Sequence, residues 1–131
     1  MKHSQGFTVI ELVVAIVFLA ATSLILFSQR QSLVATQRDE TRKTAINAMY
    51  YSLEEVFHAK NGYYPNKIDD SNLSSMDPTL FTDPEGDAIN TGASDYRYEP
   101  TNCSLDGKCK SYNLRGLLEK EADFIKKSRH Q

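Results

Sequence analysis

From residue 7 to residue 27 the chain reads FTVIELVVAIVFLAATSLILF, an apolar run broken by a single full charge, Glu11. At 1.5 Å per residue, about 21 helical residues cover about 31 Å, enough to cross a hydrocarbon layer of about 30 Å. A chain this small has room for one modest core, and these residues are spent on something else.

An ordinary secretory signal ends in small residues followed by a polar exit. Here Ala20, Ala21, Thr22 and Ser23 run into more apolar chain, whereas Gly6 stands before the run. Cleavage after Gly6 removes only residues 1–6 and keeps the apolar helix. Glu11 resists a simple anchor, because a carboxylate near the membrane interior costs about 2.5 to 3.5 kcal/mol on insertion scales and needs a partner. Cleavage creates an ammonium at Phe7, and a neighbouring copy can bring its own to Glu11.

The string Gly6-Phe7-Thr8-Val9-Ile10-Glu11-Leu12 resembles the class III signal of type IV prepilins and type II secretion pseudopilins. The resemblance implies cleavage between Gly6 and Phe7 by a membrane aspartyl prepilin peptidase, then N-methylation of Phe7 from S-adenosylmethionine. It also implies that Glu11 meets the N-terminal amine of an adjacent subunit during assembly. One departure is the segment's end, where Ser28 stands in place of the family's common proline and no glycine interrupts the run. This predicts a more continuous helix.

No Pro or Gly occurs between Phe7 and Asn61, enough chain for a helix of about 80 Å. Ala45, Ile46, Met49, Tyr50, Leu53, Val56 and Phe57 recur at spacings of three and four and predict a buried stripe. Arg30, Arg38, Arg42 and Lys43 follow the apolar run, with only Lys2 firmly basic before it, so charge bias alone favours an internal C-terminus. The cleavage motif, which must face its peptidase, outweighs that count. The basic residues are expected on a solvated face or paired with Asp39, Glu40 and neighbouring copies.

Asn61-Gly62 predicts the helix stop, and Asn-Gly-Tyr-Tyr-Pro resembles the helix exit of major pilins and pseudopilins. Residues 66–82 predict a loop with at most a short helix, tied down by Ile68, Leu73, Met76, Leu80 and Phe81. Asp83-Pro84-Glu85-Gly86-Asp87 is a turn and resembles the turn before the sheet in major pseudopilins, with Glu85 where an aromatic is common. Strands are expected over 96–99 and 109–114, their tyrosines packing on the helix. Leu114 to Glu119 resembles a late strand or strand-to-helix segment of pilins. Leu118, Ala122 and Ile125 suggest a short amphipathic stripe, and residues 126–131 a solvated tail.

Cys103 and Cys109 favour a disulfide over free or intermolecular thiols in an exported chain, and two thiols make a poor zinc site. Closing about seven residues contributes roughly 2.4 kcal/mol in the chain-entropy account. Asp83, Glu85 and Asp87 invite calcium as oxygen ligands but lack the full EF-hand pattern, so no metal or other cofactor is assigned. His3, His58 and His130 form no ligand set or triad, and no nucleophile motif occurs, which argues against an enzyme. The mild negative charge and scattered basic residues make direct nucleic-acid binding a disfavoured role.

The expected fold is therefore α+β and type IV pilin-like: a long N-terminal helix whose C-terminal half packs on a small antiparallel sheet. Residues 1–6 are a leader, 7–27 a membrane and filament-core half-helix, 28–60 its amphipathic continuation, and 61–131 the head. The expected function is a structural pilus subunit for adhesion, twitching motility or DNA uptake, the alternative a major pseudopilin of a type II secretion or competence filament. Implied partners are other pilin subunits, the prepilin peptidase and methyltransferase, an inner-membrane platform protein and an assembly ATPase. The implied location is a single-pass membrane protein with an extracytoplasmic head, then an extracellular pilus.

Overall fold

Helix α1 begins at Val9, one residue after Thr8, whose Oγ1 accepts the Glu11 N–H at 3.4 Å and caps the first turn. The structure is a computed structural model and describes residues 8–130. It divides into two compact units, Met1–Ala35 and Thr36–Gln131. The proposed cleavage residues Gly6 and Phe7, and also His3, lie outside the described residues.

With no proline or glycine to interrupt it, α1 runs over Val9–Tyr51. Inside the apolar unit, the Thr22 and Ser23 hydroxyls donate to carbonyls of Phe18 and Leu19, so these polar groups are satisfied within the helix. A π-helical turn, Ser52–His58, and a last α turn, α2 at Ala59–Asn61, follow. Gly62 ends the helix at φ 74°, a left-handed conformation that costs glycine little, and its N–H donates to the His58 carbonyl at 2.8 Å.

Four antiparallel strands make the sheet: β1 Tyr64–Pro65, β2 Tyr96–Cys103, β3 Lys108–Gly116 and β4 Phe124–Lys127. β3 is central, with β2 on one side and β1 and β4 pairing with its two ends. Register is set by Tyr98 opposite Leu114 and Cys103 opposite Cys109. The loop between β1 and β2 holds one short 3-10 helix, Pro78–Phe81, capped by the Asp77 carboxylate.

The chain thus has an α+β fold in which the C-terminal part of the long helix packs against a small antiparallel sheet. Ala45, Ile46, Met49 and Leu53 meet Tyr64, Tyr96, Tyr98, Tyr112 and Leu114, while Ile68, Leu73 and Phe81 close the core from the loop. Burying each large apolar side chain contributes about 1.5–3 kcal/mol. Contact is closest at Gly116, where an added Cβ would lie 2.9 Å from Ile46 Cγ1.

Three local expectations differ. Val56 is 47% exposed rather than buried, because the wider π turn takes more residues per revolution and carries the 3.6-residue stripe off the core face after Leu53. Residues 118–125 form no amphipathic helix; the chain bends and enters β4, pairing Ile125 with Arg115. The expected solvated tail is docked: Ser128 is buried and its N–H donates to the Tyr112 carbonyl, while Arg129 bonds Tyr50 and Glu55.

The outer edge of β2 is partly closed by one residue. Asn90, at φ 65°, accepts the Tyr98 N–H through its side-chain oxygen at 2.8 Å and donates to the Tyr98 carbonyl at 3.3 Å. Two residues along, Pro100 has no N–H to offer.

Candidate functional site

Glu11 lies in the first turn of a helix whose apolar residues are exposed on every side. Exposure runs from 47% at Val14 to 81% at Val9, with Phe18, Leu24 and Phe27 between. None of the apolar stretch is buried, and the helix is long and apolar enough to cross a membrane. Leaving such side chains in water forgoes about 1.5–3 kcal/mol each, so the segment requires a bilayer or other apolar chains. Glu11 is exposed among them.

Within the second unit, polar chemistry concentrates at two buried centres. The first is Arg42, 2% exposed. Its Nη1 donates to Asp39 at 3.0 Å and to Glu119 at 2.8 Å; its Nη2 reaches Glu85 at 2.9 Å and Asp95 at 2.7 Å. The Asp39 carboxylate also accepts the backbone N–H groups of Glu119 and Lys120, both at 2.9 Å. Burial pushes the Asp39 carboxyl up, but these donors and Arg42 outweigh it and hold it below the ordinary range. Hydrogen bonds from Arg38 and then Arg42 bring Glu119 down to about 2. Of the two expectations for Arg42, the structure shows the pairing with Asp39 and not the solvated face, at the point where helix, turn and the segment before β4 meet.

The same arrangement takes in part of the acidic turn, to which the sequence assigns no metal. The carboxylates that converge are Asp83, Glu85 and Asp95, not Asp87. Asp83 accepts backbone N–H groups of Glu85, Asp87 and Asp95, so its oxygens order the turn. Glu85 and Asp95 contact the Arg42 guanidinium. The residues present suit a side-chain cation rather than a calcium ion, which needs six to eight oxygens.

The second centre is Glu54, 5% exposed and carried inward by the π turn. It accepts hydrogen bonds from the Tyr64 hydroxyl at 3.0 Å, the Tyr112 hydroxyl at 2.8 Å and the Arg129 N–H at 3.3 Å. Burial first, then donation to this carboxylate, pushes the Tyr64 and Tyr112 hydroxyls above the usual phenol range. Helical periodicity gives no sign of Glu54 as a buried residue, since a π turn leaves no mark on it. The tyrosines do pack on the helix as expected.

Cys103 and Cys109 form the expected disulfide, closing the β2–β3 turn with their Cα atoms 3.9 Å apart. His58 stacks on Tyr64 and His130, a packing arrangement. Among the described residues no catalytic constellation is evident.

Comparison with family models, with curated proteins and with solved structures finds no match. The architecture itself, a long N-terminal helix and a small antiparallel sheet, is a type IV pilin-like fold of a kind typical of structural, membrane-associated subunits.

Proposed function

We propose that this chain is a structural subunit of an extracellular type IV pilus, drawn from a membrane-held pool. In this proposal residues 1–6 are removed between Gly6 and Phe7, the new Phe7 amine is methylated, and the Glu11 carboxylate pairs with the Phe7 ammonium of a neighbouring copy. The observation that carries the reading is the exposed apolar helix with one carboxylate in its first turn. A bilayer satisfies the apolar surface before assembly, and the helices of other copies satisfy it afterwards. In this reading the chain end of another copy gives Glu11 its counter-charge, which would also set the axial offset between subunits. A prepilin peptidase and methyltransferase, an inner-membrane platform protein and an assembly ATPase are the partners this requires.

The test is Glu11→Ala. Membrane insertion is expected to persist while surface filaments fall sharply; normal filament yield would overturn the mechanism. Intact-mass analysis of surface protein is expected to find a chain starting at Phe7. A second reading, a major pseudopilin of a secretion or competence filament, is favoured by the Asp83-Pro84-Glu85-Gly86 turn. Short periplasmic fibres without long surface pili would select it.

A further inference from the structure

Beyond the end of α2 at Asn61 the sheet loses its helical cover. Near the start of β3, Lys108 and Lys110 are exposed on either side of Cys109, which is buried in the core. A cavity of about 350 Å³ opens there, lined among others by His58, Tyr63, Asn102, Lys108, Lys110 and His130. Its lining includes no carboxylate. Among the described residues neither Lys108 nor Lys110 forms an ion pair. The walls come from separate elements: the helix end, the strand exit, the β2–β3 turn and the C-terminal segment.

We propose that this cavity binds a tetrahedral oxyanion, phosphate or sulfate, either free or as the ester of a small molecule. The two lysines supply compact point charges suited to such a group, whereas a carboxylate is matched better by a planar guanidinium, and no arginine lines the cavity. Asn102 and Tyr63 add neutral donors on the same walls. The volume lies at the low end of small-molecule sites, about 300–1,000 Å³, which fits a sugar-sized ester rather than a polymer. Preorganisation comes from the turn: the disulfide closes it, and the Ser104 N–H donates to the Lys108 carbonyl at 2.8 Å. On the opposite wall His130 stacks on His58 with ring centroids 4.4 Å apart, fixing the C-terminal segment to the helix end. This inference does not depend on filament assembly.

The experiment is an NMR titration of the 15N-labelled full-length chain in uncharged detergent micelles. Probes are inorganic phosphate, inorganic sulfate and glucose 6-phosphate, with acetate as the carboxylate control and chloride held constant. Saturable shifts are expected at Tyr63, Asn102, Lys108, Lys110 and His130, with acetate binding more weakly. Combined Lys108→Gln and Lys110→Gln substitution is expected to weaken binding by about tenfold or more while core amides around Leu114 keep their positions. Tighter binding of glucose 6-phosphate supports an ester, and equal binding supports the free ion, both within the proposal. Shifts that do not saturate, acetate binding as well as phosphate, or affinity unchanged by the double substitution would overturn it. Preferential binding of a short DNA duplex, with shifts spread over Lys60, Lys126 and Lys127, would replace it with a general electrostatic surface.

Discussion

The Arg42 guanidinium meets the Asp39 carboxylate at 3.0 Å with both side chains only 2% exposed, one helical turn apart on α1. Asp39 at the same time accepts the backbone of residues 119 and 120, so this pair joins the helix to the chain leading into β4. Removing one member of a buried pair leaves the other charge uncompensated, at about 3–5 kcal/mol. Arg42→Ala is expected to lower Tm strongly, while millimolar calcium leaves the Tm of the unaltered protein unchanged, as thermal unfolding with and without the ion will show.

Glu54 gives a prediction with an internal rescue. Glu54→Ala strands two buried tyrosine hydroxyls at about 1–3 kcal/mol each. Combining Glu54→Leu with Tyr64→Phe and Tyr112→Phe removes the two hydroxyl donors with the acceptor and leaves only the Arg129 N–H, and urea unfolding is expected to show it more stable than Glu54→Ala alone.

Acid should weaken the head through Asp39, Asp83 and Glu119, all held below their ordinary values. Glu119 takes up its proton near its ordinary 4.5 when unfolded but only at about 2 when folded. Across that interval the unfolded chain binds more protons, so stability is full above about pH 4.5 and declines toward pH 2. Denaturant midpoints measured at successive pH values will give the slope.

The close contact at Gly116 predicts that Gly116→Val destabilises by about 1–3 kcal/mol through overpacking against Ile46. A companion change, Ile46→Ala in the Gly116→Val background, is expected to recover part of the loss, and a double-mutant cycle measures the coupling.

Opening the Cys103–Cys109 loop by paired serine substitution is expected to cost about 2.4 kcal/mol. The sheet register should survive, because Tyr98 opposite Leu114 and Asn113 opposite Lys127 lie away from the turn. Amide exchange along β3 will test this.

Features governed by neighbouring residues were legible in the sequence: the Thr8 to Asn61 helical stretch, the Gly62 stop, the turn at Asp83 to Asp87, the paired strands and the short disulfide. Features that depend on distant chain were not. Arg42 looks like a surface cation until Glu85, Asp95 and Glu119 are brought to it, and residues 124–127 lack any pattern that announces a strand before β3 offers its edge. Glu54 is the sharpest case, since an outward charge on a regular helix becomes an interior acceptor through one widened turn. For the proposed assembly site, the motif around Glu11 is entirely a sequence signal, while the structure contributes the apolar exposure of the helix that bears it.

Asn90 has a wider effect than its size suggests. Its amide already occupies the N–H and carbonyl of Tyr98, and Pro100 has no N–H to give at the next outward position, so an incoming strand finds a broken row of donors on that side. The β2 side of the sheet is thereby a poor template for a strand from a second copy.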